Sequence, residues 1–270
     1  MPTSLQSSFV TALLLASTAL AADRAPRLEI PAPEARQGVA VDAAHVYAID
    51  NTTLGKYDKF TGERVAQWSA DEDTPLKHLN SGIVRDGQLI CAHSNYGELP
   101  MTSSVEFFDT ETLAHAGSHS FGVLYGSLTW LDWHESAWWA CFAHYEGKGG
   151  EPGKGPAHTV VVKMDEDWRT MASWVLPSTV LERVAPHSAS GGTWGLDGRL
   201  YIAGHDLPEL YVLELPKAGS TLEHVDTIPF PNAGQAIAVD RSGSGLFYGI
   251  LRKTRTIVAA PVGTVQQAKP

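Results

Sequence analysis

The sequence predicts an all-β fold, a five-bladed β-propeller, and three observations carry that expectation. A strand–turn–strand pattern recurs five times along the chain. The aspartate that closes the first strand of each copy falls at Asp42, Asp86, Asp132, Asp197 and Asp240, giving steps of 44, 46, 65 and 43 residues. Such steps suit four-stranded blades with one insertion. Finally, the last copy is one strand short while the N-terminal region offers one strand without a partner.

The clearest copy is Asn80-Ser-Gly-Ile-Val-Arg-Asp-Gly-Gln-Leu-Ile-Cys-Ala-His-Ser-Asn-Tyr96, where an apolar run, an Asp86-Gly87 hairpin signal and a second apolar run follow one another. In chain order, Arg27–Ile30 alternates like a strand and precedes the Pro31-Ala-Pro33 break. Blade one is expected at Gln37–Val41, Val46–Asp50, Thr53–Tyr57 and Val65–Trp68, and blade two at Ser81–Val84, Leu89–His93, Ser104–Phe108 and Ala116–Phe121. Blade three follows at Ser127–Leu131, Trp138–Ala143, Thr159–Met164 and Thr170–Trp174. Blade four is expected at Thr193–Leu196, Leu200–Gly204, Glu209–Leu213 and His224–Ile228. Blade five supplies only Gln235–Val239, Leu246–Ile250 and Thr256–Ala260. Pairing the N-terminal strand with the last of these closes the ring and removes an open sheet edge. Residues 22–270 therefore read as one propeller domain.

Residues 1–21 read as a signal peptide. Phe9–Leu20 is an apolar run too short to span a bilayer, and Ala19-Leu20-Ala21 is a small-x-small cleavage site, although the first eight residues lack the usual basic side chain. The expectation is a periplasmic or secreted, monomeric protein with no membrane span. A net charge of −10 and the absence of a basic stripe argue against nucleic acid as a partner and leave small molecules or proteins. Cys91 and Cys141, the two cysteines, both fall inside second strands, where cysteine behaves as a small hydrophobe; an oxidising compartment leaves a bridge between them open.

Loop lengths point to one face of the ring. Links between first and second strands are short, as at Asp86-Gly87 and Asp197-Gly198, whereas the segments leaving second strands or entering first strands are long, and function on rigid scaffolds concentrates in long loops. The glycine- and lysine-rich Glu146–Pro156 lacks the Gly-Lys-Ser/Thr of a P-loop and reads as a rim loop. Of eleven histidines, His93, His144 and His205 each close a second strand on this face, and His187 precedes the first strand of blade four. These four are the candidate catalytic residues. His93, His144 and His205 are also candidate ligands of a divalent metal, since three imidazoles from adjacent blades make a site with an open position. Metal-free acid–base chemistry and simple capping of strand ends remain alternatives. Candidate ligand-binding residues on the same face are Gln37, Asn80, Ser81, Asn95, Tyr96, Ser127, Gln235 and Arg252, joined by His78, Tyr145, Ser190 and Asp206. Trp130, Trp133, Trp138 and Trp139 crowd blade three and read as packing between blades.

Gln37-Gly-Val-Ala-Val-Asp42, His93-Ser-Asn-Tyr96, Pro100-Met-Thr-Ser-Ser-Val105, Ser190-Gly-Gly-Thr-Trp194 and Gly204-His-Asp206 resemble stretches of a family of small secreted bacterial propellers. Its members are often labelled cycloisomerase-like, by loose similarity to lactonase and muconate-cycloisomerase propellers. The resemblance extends over nearly all of residues 22–270 and implies a propeller fold and ring chemistry. Lactonase propellers are larger and hold calcium on carboxylates, whereas the face here is rich in His, Asn, Ser and Gln. The functional expectation is an exported enzyme acting on a small polar metabolite at the channel mouth by ring opening, ring closure or hydrolysis, metal-assisted or not. The alternative is a propeller that binds a ligand or partner without catalysis.

Overall fold

A computed structural model describes residues 28–74 and 76–263, so the expected signal peptide lies outside the described residues. Twenty strands form five four-stranded antiparallel sheets. Blade one comprises β2 (Gly38–Val41), β3 (His45–Ile49), β4 (Thr53–Asp58) and β5 (Arg64–Ser69). Blade two comprises β6 (His78–Arg85), β7 (Gln88–Ser94), β8 (Ser103–Asp109) and β9 (His115–Gly122). Blade three is β10 (Ser127–His134), β11 (Ala137–Ala143), β12 (Val160–Met164) and β13 (Thr170–Val175). Blade four is β14 (Gly191–Trp194), β15 (Leu200–Ala203), β16 (Glu209–Glu214) and β17 (Glu223–Pro229). Blade five contains β18 (Ala238–Val239), β19 (Phe247–Leu251), β20 (Thr256–Ala260) and β1 (Leu28–Pro31). The innermost strands β2, β6, β10, β14 and β18 neighbour one another around the ring, β18 returning to β2.

Closure is as the strand count predicts. β1 pairs with β20 through Leu28 opposite Ala259 and Ile30 opposite Ile257. Ile30 is fully buried in a cluster that joins Val39, Val46 and Tyr57 of blade one to Tyr248, Ile250 and Ile257 of blade five. Burying that one side chain is worth about 2–3 kcal/mol, and β1 thus holds the seam where the ends of the chain meet.

The repeated turns have a common cause. Asp58, Asp109 and Asp165 each accept backbone N–H groups from residues two to four positions on, so each carboxylate builds the link between third and fourth strands. Those backbone donors hold the Asp58 and Asp109 carboxyls below their ordinary range. The outer strands alternate exposed and half-buried positions, as β9 does along its whole length, while inner strands are buried on both faces by neighbouring blades.

Two segments differ from expectation. Blade five's inner strand is only Ala238–Val239 rather than Gln235–Val239 because Gly234 and Gln235 take left-handed backbone conformations, with φ of 77° and 74°. The long Val175–Gly191 link contains a two-turn helix, α1 (Ser178–Val184), whose Val180 and Val184 are buried in the cluster of Trp130, Trp139 and Trp194. The blade-three tryptophans do pack between elements: Trp130 and Trp139 are fully buried, and Trp133 carries the Arg85 guanidinium 4.0 Å above its ring. Cys91 and Cys141 are free and buried, which pushes both thiol pKa values up, Cys141 to about 12.

Candidate functional site at the channel mouth

The inner strands run from one end of the central channel to the other, and their first residues surround a cavity of about 260 Å³ at the loop-rich end. Gln37, Asn80, Tyr96, His187, His205, Gln235 and Arg252, all anticipated from the sequence, line it. So do His78, Tyr145 and Ser190. Gln37 donates to Asn51 Oδ1 at 2.8 Å within blade one, while Asn80 donates to the Leu128 carbonyl at 3.1 Å and Gln235 to the His205 carbonyl at 3.4 Å, each tying one blade to its neighbour.

Both ring nitrogens of His205 are engaged. Arg252 Nη1 lies 3.1 Å from its Nε2 and Asp206 Oδ1 lies 2.7 Å from its Nδ1. A guanidinium has only donors, so Nε2 must be the acceptor and Nδ1 must carry the proton that it donates to Asp206. His205 is thereby a neutral imidazole whose Nε2 lone pair is engaged by Arg252 at the cavity wall. Burial depresses its basicity most, Asp206 opposes that, and His187 and Arg252 add to the depression. The His187 ring centre is 4.0 Å from that of His205, and its Nε2 is 4.0 Å from Asp206 Oδ2. His187, His205 and Asp206 place one ligand atom each within 4.8 Å of one another, which makes them a possible metal-binding triad.

Gly234 makes this arrangement possible. A Cβ there would stand 2.3 Å from the carbonyl carbon of His205, so only glycine lets the Gln235 segment lie against the His205 backbone. On the other side of the mouth, His78 stacks on Tyr96 at 4.9 Å and Tyr96 meets Tyr145 edge-on at 5.5 Å. Burial, followed by the charges of His93, Arg252 and Arg36, pushes the His78 imidazole down to about 4. The rim loop crosses above these rings. A Cβ at Gly149 would sit 2.4 Å from the Tyr96 ring, and the loop delivers Lys148 to the cavity wall.

Two of the three histidines proposed as joint metal ligands lie elsewhere. His93 Nδ1 is 2.9 Å from Ser104 Oγ and its Nε2 accepts from the Lys77 N–H. His144 Nε2 donates to the Tyr125 carbonyl at 3.0 Å, and its Nδ1 faces Glu151 at 3.6 Å, where it helps seat the rim loop. The three histidines do not hold equivalent positions: His93 lies within β7, whereas His144 and His205 lie one and two residues past the ends of β11 and β15. Three ligand-binding candidates also lie outside the cavity lining. Ser81 Oγ accepts from the Leu131 N–H, Asn95 closes its own loop through Thr102 and Pro100, and Ser127 donates to Ser94. Arg36, Asn51, Thr129 and Lys148 line the cavity without having been anticipated. Thr129 is turned inward by a β-bulge between Leu128 and Trp130, and a second bulge between Leu79 and Gly82 distinguishes Asn80 from Ser81. Bulges of this kind gather beside functional sites. Asn51, which follows the second strand of blade one, could have been found by extending the strand-end comparison from blades two to four back to blade one.

Charge is concentrated here. Arg252 is half-buried, its guanidinium has His205 as its one hydrogen-bond partner among the described residues, and it forms no ion pair among them. Burial lowers its pKa, and nearby Arg36 lowers it further. At the opposite end of the channel a cavity of about 160 Å³ is lined by Asp42, Asp132, Asp240 and Arg241, and there the charges are satisfied. Asp132 accepts from both Arg241 terminal nitrogens, Thr193 Oγ1 and the Trp194 N–H, at 2.7–3.1 Å. Lys59 donates to Asp240 at 3.1 Å, to Ser242 and to the Asp42 carbonyl, joining blade one to blade five.

No protein-family model and no curated protein matches the sequence. Among solved structures the chain is similar to Myxococcus xanthus glutaminyl cyclase, with a TM-score of 0.56 at 12% identity over 87% of this chain and 94% of that one. It is also similar to a chain of a mitotic checkpoint complex, with a TM-score of 0.50 at 11% identity over 97% and 99% of the two chains. At these identities the likeness is one of fold: the chain is a five-bladed β-propeller with a glutaminyl cyclase among its structural neighbours.

Proposed function

We propose that this propeller is an exported enzyme that binds a small polar metabolite at the channel mouth and opens, closes or hydrolyses a ring or ester there by metal-free acid–base catalysis. The observation that carries the reading is the oriented His205, held by Asp206 on one nitrogen and presenting the lone pair of the other beside His187 and Arg252. An imidazole fixed in one tautomer by a carboxylate is suited to proton transfer. In hydrolytic ring opening, Arg252 first moves off Nε2, which then takes a proton from the attacking water as the water oxygen bonds to the carbonyl carbon. The ring C–O or C–N bond then breaks, and the departing atom recovers that proton. Ring closure runs the same steps in reverse. The glutaminyl cyclase neighbour bears a ring-closing name, and the cycloisomerase-like resemblance implies ring chemistry too, so both support this class of reaction.

A second reading places a divalent metal on His187, His205 and Asp206, because two imidazoles and a carboxylate are a donor set for zinc, iron or manganese. Such an ion would polarise a bound carbonyl. It fits only if Arg252 moves off His205 Nε2, since cation and metal would compete for one lone pair. Elemental analysis of protein purified without chelators separates the two readings. Stoichiometric metal that is lost in His205→Ala supports the second, and full activity in metal-free protein supports the first.

The decisive assay is turnover of a panel of lactones, esters and cyclic amides by the parent and by His205→Asn. Catalysis at this site predicts a fall in kcat of about 10²–10⁴-fold. No turnover by the parent, with a ligand still bound, would establish the non-catalytic binding propeller instead. Export predicts that protein recovered from its native compartment begins near Ala22, which intact mass reads directly.

A further inference from the structure

Beside the channel mouth lies a second, larger recess. A groove of about 830 Å³ runs outward over blade five and is lined by Arg36, His205, Arg252, Lys253 and Arg255, with Asp206 beside them. Arg36, His205 and Arg252 line both spaces, so the groove and the mouth adjoin across these three side chains. The mouth itself, at about 260 Å³, is smaller than most ligand pockets, which span roughly 300–1,000 Å³.

The charge along this path is opposite to that of the protein. Arg36, Lys148, Arg252, Lys253 and Arg255 are five cations, against Asp50 and Asp206, in a chain whose net charge is −10. Asp50 is shared by Arg255 at 3.0 Å and Arg36 at 3.8 Å, and Asp206 is engaged by His205. Arg252, Lys148 and Lys253 form no ion pair among the described residues. An acidic surface repels anions in general, so a cationic strip confined to one cavity system selects for an anion that fits it. Guanidinium groups bind oxyanions in paired hydrogen bonds.

We infer that the substrate is an elongated oxyanion: its reacting end sits in the mouth against His205, and a carboxylate or phosphate on its distal end lies in the groove against Arg252, Arg36 and Lys253. This rests on the catalytic reading for the role of His205, while the anion site stands on the charge and shape of the groove alone.

The test is isothermal titration of the full chain with heptanoate, its neutral isostere heptanamide, the short propanoate, and heptyl phosphate. Heptanoate should bind at least tenfold more tightly than heptanamide and than propanoate, and its affinity should fall as sodium chloride rises from 50 to 500 mM. Arg252→Ala, and the double variant Arg36→Ala with Lys253→Ala, should each lose about tenfold for heptanoate with little change for heptanamide. Heptyl phosphate binding above or below heptanoate tells which oxyanion the groove prefers. Equal binding of heptanoate and heptanamide, failure of every anion to bind, or unchanged heptanoate affinity in both variants would overturn the inference. Circular dichroism of each variant shows whether any loss is one of folding. Anion binding with no turnover of any panel substrate would defeat the catalytic reading and leave this site standing. Turnover without salt or arginine dependence would do the reverse.

Discussion

The two ends of the central channel carry similar side chains and use them differently. At the base, Arg241 is locked in a two-pronged pair with Asp132, and Lys59 spans three acceptors across the seam between blades one and five. At the mouth, Arg252 has the single contact to His205 among the described residues, and Lys148 and Lys253 have no carboxylate partner among them. A buried charge whose bonds are all made inside the protein contributes to holding the fold together. One whose donors face an open cavity keeps them available for something that is not part of the chain. The contrast assigns the base to stability and leaves the cations of the mouth available to the ligand that the proposed function requires.

Removing the ring on which both ends depend should have the largest effect. Deleting residues 28–32 strips β1 from blade five and exposes the β20 edge together with the Ile30 cluster. Loss of roughly 3–5 kcal/mol of apolar burial is a large share of a total near 5–15. Soluble yield should collapse, or the Tm should fall by about 10 °C or more. A truncated protein melting within 2–3 °C of the parent would show that β1 does not hold the seam.

Next in size is Lys59→Met, which leaves the buried Asp240 without its cation and should cost roughly 3–5 kcal/mol. Thermal melts should show the loss while ligand affinity at the mouth stays within twofold. Parallel loss of binding would break the division between the ends.

Acid should act on both ends, in different windows. Burial by itself would raise the Asp240 carboxyl, but the Ser242 and Ser244 hydroxyls, the Ser242 N–H and Lys59 outweigh it and bring it down to about 2. Its stabilising contribution is therefore complete above about pH 4 and disappears as pH falls toward 2. His78 is held neutral by burial down to about 4, whereas the unfolded chain binds that proton near 6.5. Stability from this source is present above 6.5 and declines as pH drops from there to about 4. Melts across pH 2–7 should show both losses. His78→Phe should shrink the upper one, to which His93, His144 and His205, likewise held down by burial, also contribute, while leaving the lower unchanged.

Much of this fold was legible in the chain because its causes are local and repeated. Apolar strand pairs recur in every blade, Asp-Gly hairpins mark blades two and four, aspartates build the outer turns of blades one to three, and the missing strand of blade five implied the role of Leu28–Pro31. The mouth was legible in part. Strand ends gave Gln37, Asn80, His187, His205, Gln235 and Arg252. His93 and His144 were misplaced because the strands end at different distances from these histidines, which no residue in the sequence announces. Thr129 came from a bulge, and Arg36 and Lys148 from loops whose paths depend on the finished ring. The pairing that separates a structural arginine from a functional one joins residues such as Asp132 and Arg241, 109 positions apart, and only the closed propeller brings them together.

The smallest stability effect is expected at the mouth. Arg252→Ala removes one hydrogen bond and relieves a partly buried, unpaired charge, so its Tm should stay within about 2 °C of the parent while heptanoate affinity falls about tenfold.

The most direct measurement sets two arginines side by side: calorimetric melts of Arg241→Ala and Arg252→Ala at pH 7 in the same buffer. Arg241→Ala leaves Asp132, 2% exposed, without its cation, and at roughly 2–4 kcal/mol should lower Tm by about 5–10 °C. Arg252→Ala should leave Tm nearly where it was. Equal losses in the two variants would contradict the division of labour between the ends of the channel.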